Sequence, residues 1–178
     1  MSMVDVFALC EKLTDEAFRL ETRQRYNVPY EEPLIRAFEE GGPQPENESV
    51  TQHIESVNSL RAAGKRDYRV HVLELPLTPY LRYELDAYRD NVETGEEIFI
   101  ADRAWHPDLA KLTEDFMLLD GDTDHASVVW YRYDNNDELF ARDQSYDAAD
   151  IEVCRRHRDL AMAYAVPYAE FIRRIGFC

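Results

Sequence analysis

Lysine is scarce in this chain: Lys12, Lys65 and Lys111 are the only three, and 20 basic residues face 36 acidic ones for a formal charge of −16. A field of that sign repels phosphate backbones and anionic lipid, so direct binding to nucleic acid or a membrane is not expected. The one basic run, Arg155-Arg156-His157-Arg158, fans around a helix instead of making a stripe. Arginine in place of lysine fits a GC-rich genome, and the acidic, lysine-poor composition equally fits a salt-adapted protein. Cysteine is also rare. Cys10, Cys154 and Cys178 are far apart and odd in number, which excludes a disulfide framework and fits a reducing, cytoplasmic compartment. No apolar run approaches a membrane span, and Met1-Ser-Met-Val-Asp-Val-Phe7 is not an export signal. There is no P-loop, no Gly-x-Gly-x-x-Gly, no Gly-x-Ser-x-Gly elbow and no internal repeat.

What remains is enough for one core. The 178 residues, 45% hydrophobic and 12% aromatic, predict a single domain over 1–178 with a flexible loop at about 41–48. Val6, Leu9, Cys10 and Leu13 give a short amphipathic helix. Residues 17–22 carry a weak strand signal, and Pro33 to Phe38 a helix ended by Gly41-Gly42. Ser49 with Gln52 has the form of a capping box for a helix closed by Gly64. Tyr68 to Leu75 alternates as a strand. Thr78-Pro79 opens a helix that Gly95 terminates, and Glu96 to Ala101 is the next strand. Segments 115–119, 126–133 and 138–142 form an antiparallel meander, and Asp147 caps a long helix that Pro167 interrupts. The fold class is α/β (α+β): a mixed sheet with a C-terminal antiparallel meander and helices packed on it.

The segment from Pro79 to Glu96 carries the candidate site. Leu81, Leu85, Tyr88 and Val92 make the core-facing stripe, and Glu84 falls inside it, where a carboxylate needs a partner such as Arg82, Arg69 or a backbone amide. Tyr80, Glu84 and Tyr88 stack at four-residue steps and line a pocket wall. The candidate ligand-binding residues are Tyr80, Arg82, Glu84, Tyr88, Asn91 and Glu96. No metal site and no cofactor are expected. His53, His71, His106, His125 and His157 include no zinc-type pair, and Asp120-Gly-Asp122-Thr-Asp124 departs from a calcium loop and reads as a solvated turn. His157 reads as a satisfied core histidine, and Trp105 beside His106-Pro107 as a packing anchor or a pocket rim.

Several landmarks resemble an uncharacterised actinobacterial domain-of-unknown-function family whose members often sit near helix-turn-helix regulators. They are Phe18-Arg-Leu-Glu21 with Tyr26, Ala63-Gly-Lys-Arg66, Tyr80-Leu-Arg-Tyr-Glu84, Asn91 with Gly95-Glu96, Asp115 to Asp120, and Ala165-Val-Pro-Tyr168. More loosely, the element order looks like phospholipase-D-like effector domains; the catalytic His-x-Lys pattern is missing, so the resemblance implies a non-catalytic copy. Three functions are compatible with these readings. The first is a non-catalytic, regulatory domain binding a small molecule or a protein such as a helix-turn-helix regulator. The second is a small enzyme with Glu84 or Glu96 as general base, and Tyr80, Arg82 or His71 stabilising charge. The third is an acidic protein-protein interaction module.

Overall fold

Parallel strands cannot be joined by a tight turn, so the alternation of helix and strand in the first half of the chain produces crossover connections. The computed structural model describes residues 3–177. Its strands are β1 (Glu16–Glu21), β2 (Arg66–Leu73), β3 (Glu97–Asp102), β4 (Asp115–Leu119), β5 (Ser127–Tyr133), β6 (Leu139–Ser145) and β7 (Val166–Pro167). The helices are α1 (Val6–Cys10), α2 (Glu32–Glu40), α3 (Glu48–Ala62), α4 (Pro79–Thr94), α5 (Ala148–Tyr164) and α6 (Tyr168–Ile175). One mixed sheet runs β6-β5-β4-β1-β2-β3-β7. β1, β2 and β3 are parallel, and β4, β5 and β6 form the expected meander, joined antiparallel to β1.

The two faces of this sheet differ in kind. Successive side chains along a strand point to opposite faces. Phe18 and Leu20 on β1, Val70 and Val72 on β2, Phe116 and Leu118 on β4, and Val128 and Trp130 on β5 share one face, which α5 covers through Ile151, Cys154 and Ala161. Burying each large apolar side chain is worth about 1.5–3 kcal/mol, so this side supplies much of the cohesion. On the other face Arg19 pairs in register with Arg69, and Glu21 with His71. Helices α3 and α4 lie over them. Apolar clusters flank this polar centre, one around Cys10, Leu13, Leu60, Met117 and Val129, the other around Leu73, Leu81, Leu85, Ile100 and Phe171.

Local signals account for most of the boundaries. Thr78 Oγ1 accepts from the Leu81 amide at 3.1 Å with Pro79 in the first turn, and Gly95 closes α4 at φ +107°. Asp147 caps α5 by accepting from the Ala149 amide at 2.8 Å. Three expectations are corrected. Asn47, not Ser49, caps α3: its Oδ1 accepts from the Ser49 and Val50 amides, while its Nδ2 donates to the Tyr30 carbonyl. Asp120 is not a solvated turn residue. It is buried at φ +50°, and its carboxylate accepts from the Thr14, Asp15 and Glu16 amides and the Thr14 hydroxyl, clamping the start of β1. The long helix stops ahead of Pro167, as expected, and beyond Ala165 the chain adds β7 to the edge of β3 before α6 begins. The Nδ1 atom of His157 is buried without a hydrogen-bond partner, so that histidine is not satisfied.

The basic run is occupied within the chain. Arg155 donates to the Gly121 carbonyl, Arg156 faces Glu152, and Arg158 engages Glu16, Asp122 and Asp159. Among the described residues no helix is long and apolar enough to cross a membrane.

Candidate functional site

The polar face of the sheet is the floor of a buried ionic cluster. From β1 and β2 rise Arg19, Glu21, Arg69 and His71. From above, α4 lowers Glu84 and Tyr88, α3 contributes His53, and Glu96 follows the left-handed turn at Gly95. That turn lets the Glu96 amide bond the Asn91 carbonyl at 3.1 Å and returns the Glu96 side chain beneath the helix. A Cβ on Gly95 would fall 2.6 Å from the Arg61 guanidinium and would demand a strained backbone.

Arg69 is the hub. Its Nε donates to Glu96, its Nη1 lies 3.3 and 3.4 Å from the Glu21 carboxylate oxygens, and its guanidinium lies over the Tyr88 ring. Arg19 Nη2 reaches Glu21 Oε1 at 2.9 Å, and His53 Nε2 lies 3.0 Å from Glu96 Oε2. Burial alone would raise both carboxyls. Arg19 and Arg69 bring Glu21 far below the ordinary range, and Arg69 with His53 holds Glu96 at about 2. These two glutamates are ionised and matched.

Glu84 is different. Its residue is 9% exposed, and its Oε2 is buried with no hydrogen-bond partner. It lies 3.4 Å from His71 Nδ1. Burial, reinforced by the negative charge of Glu21 and Glu31, pushes its pKa well up. His71 is fully buried, and burial lowers its pKa. Its Nε2 faces the Arg23 carbonyl at 2.8 Å. A carbonyl only accepts, so that nitrogen carries the proton and Nδ1 presents a lone pair. That lone pair faces Tyr88 Oη at 3.0 Å, Glu84 Oε2 at 3.4 Å and Glu21 Oε2 at 3.9 Å. Tyr88 has one hydroxyl proton, and Glu21 Oε2 takes it at 2.7 Å. Three acceptors therefore converge, and the side chains supply too few donors for them. A proton or a cation must complete the group.

Further polar contacts surround the cluster. Tyr26 donates to Asp115 at 2.6 Å and presents its ring edge to His71, and Tyr80 donates to Glu31 at 2.9 Å. Burial lifts the Glu31 carboxyl to about 7. The solvent edge of the cluster lies at Arg19 and His53, whose side chains are 27% and 29% exposed.

Of the residues singled out in the sequence, Glu84, Tyr88 and Glu96 enter the cluster, and Tyr80 stands beside it through Glu31. Arg82 and Asn91 do not. Arg82 is two positions from Glu84, about 200° around the helix. It lies over Phe177 and lines a separate surface cleft of about 530 Å³ with Leu75, Pro76 and Arg174. Asn91 contributes its main-chain carbonyl to the end of α4. The space beside Glu84 is filled by its neighbours: Glu21 is 2% exposed and His71 0%. Sequence reasoning placed His71 only as a charge stabiliser, and missed Glu21 and Arg19. Their signal was strand alternation, which marks them as one face but not as a covered one. Trp105 is partly exposed, with its ring beside Phe171 and the Arg174 guanidinium over it.

The sequence model of the family described as Domain of unknown function (DUF6879) matches residues 5–173, and the chain belongs to that family. No curated protein and no solved structure matches the chain.

Proposed function

We propose that this member of the DUF6879 family is a non-catalytic ligand-binding domain with a regulatory role, whose ligand reaches the cluster around Glu84. One observation carries the reading. The buried Glu84 Oε2 has no partner and faces the unprotonated nitrogen of His71, an arrangement that costs stability unless something outside the chain completes it. Resemblance to phospholipase-D-like effector domains and to an actinobacterial family found near helix-turn-helix regulators supports the regulatory half. It points to such a regulator as protein partner, in the cytoplasm.

Proton transfer is the second reading, favoured by the raised pKa of Glu84 beside His71. Glu96 is a poor base in that scheme because Arg69 and His53 hold it ionised. The closed packing around Glu84 leaves no room beside it for a substrate, which counts against turnover. The acidic surface, at −16 overall, is the feature behind a third reading as a docking module.

Native mass spectrometry of the protein purified from its own host, beside the Glu84→Gln variant, tests the first reading. A bound mass present in the wild type and lost in the variant is the expected result. Wild type that carries nothing and takes up nothing overturns it.

A further inference from the structure

We infer that Glu21, His71 and Glu84 form a binding site for a divalent first-row transition-metal ion. The inference rests on the ligand-binding reading and names the ligand. One atom from each residue, His71 Nδ1 and a carboxylate oxygen of Glu21 and Glu84, lies within 4.8 Å of the other two. No sequence spacing announces the set, because its members come from β1, β2 and α4.

Three features of the geometry point to a cation. First, the second ring nitrogen of His71 donates to the Arg23 carbonyl at 2.8 Å. A histidine that ligates a metal is oriented in this way: a carbonyl or carboxylate fixes the tautomer and turns the free lone pair inward. Second, Glu84 Oε2 is buried, unpartnered and aimed at that lone pair. Third, the separation suits an ion. Two ligands about 2.1 Å from a tetrahedral centre stand about 3.4 Å apart, which is the Nδ1 to Glu84 Oε2 distance. Nδ1 lies 3.9 Å from Glu21 Oε2, about half an ångström beyond that separation.

The donor set selects the class of ion. One imidazole nitrogen and two carboxylates suit zinc, manganese or iron, whereas calcium asks for six to eight oxygens and magnesium keeps much of its water. The charge balance agrees. Arg19 and Arg69 match Glu21 and Glu96 around the cluster, so Glu84 is the carboxylate left for the ion to pair with. Arg69 opposes the ion through its contact with Glu21, and Glu96 draws that guanidinium away. Tyr88 Oη, 3.0 Å from Nδ1 and 2.7 Å from Glu21 Oε2, stands where a further ligand would.

The test uses the full chain, stripped with a chelator. Zn²⁺ is titrated by calorimetry and Co²⁺ by visible absorption, against Glu84→Gln, His71→Gln and Glu152→Gln. A single tight ion is expected, with a Co²⁺ spectrum of mixed nitrogen and oxygen ligands. Affinity should fall at least about 100-fold in Glu84→Gln and His71→Gln, and stay unchanged in Glu152→Gln, which lies on α5 across the sheet. Circular dichroism identifies a variant that has failed to fold, and Glu84→Gln, a near-isosteric change, then carries the comparison. No binding by the wild type, or equal binding in folded Glu84→Gln, overturns the inference in favour of a proton shared between Glu84 and His71. If an organic molecule is retained while no metal binds, only the metal is wrong. If neither binds, the ligand-binding reading falls as well.

Discussion

Replacing Glu84 by glutamine in the metal-free protein is expected to stabilise it. At neutral pH the folded chain must keep a proton on Glu84 that the unfolded carboxyl, near its ordinary 4.5, has already released. Each pH unit of that mismatch costs about 1.4 kcal/mol, so from 4.5 to 7 the cost is up to about 3 kcal/mol. The sign follows from a folded pKa lying above the unfolded one. Below pH about 4.5 both states are protonated and there is no cost, and stability then declines as pH rises toward the folded pKa. Glutamine never ionises, and its amide can donate to His71 Nδ1. Urea unfolding with chelator at pH 4.5 and 7 should give nearly equal midpoints at the lower pH. At pH 7 the variant should lead by up to about 3 kcal/mol, a rise of up to roughly 12 °C in Tm. A variant no more stable at pH 7, or one with the same gain at both pH values, would refute the account of a proton-bearing Glu84.

Two further substitutions probe the surroundings. Arg69→Met leaves Glu21 and Glu96 buried without their shared guanidinium and should cost about 3–5 kcal/mol by urea unfolding. Asp120→Asn keeps a residue tolerant of positive φ but turns one acceptor into a donor facing the Thr14 to Glu16 amides. It should cost about 1–3 kcal/mol and speed amide exchange at Asp15 and Glu16.

Elements announced by local chemistry were legible in the sequence. Thr78-Pro79 and Gly95 bracket α4, Asp147 starts α5, and the β-branched alternation of β2 and the meander strands is visible without a fold. The exceptions are tertiary. Asn47 outcompeted Ser49 as a cap because it also reaches the Tyr30 carbonyl, seventeen residues away. The two-residue β7 has too little sequence to signal itself, and exists because β3 offers an open edge. Glu84 stood out because a carboxylate in an apolar helical stripe is anomalous. Arg19 and Glu21 did not, since polar residues alternating along a strand ordinarily face water. Only the placement of α3 and α4 turns that face inward, and no local pattern in β1 records it.

The position of β1 in the sheet has a consequence for synthesis. It is the middle strand of seven, yet the first to be made. Its parallel partner begins at Arg66, and Ala17 meets its antiparallel partner only at Leu119, about a hundred residues later. At about 5–20 residues per second, a ribosome needs on the order of 5–20 s to deliver that second edge. Throughout this interval a segment with Phe18 and Leu20 on one side and charges on the other keeps at least one edge open. The nascent chain is therefore most exposed to chaperones, and to other copies of itself, at its own future centre.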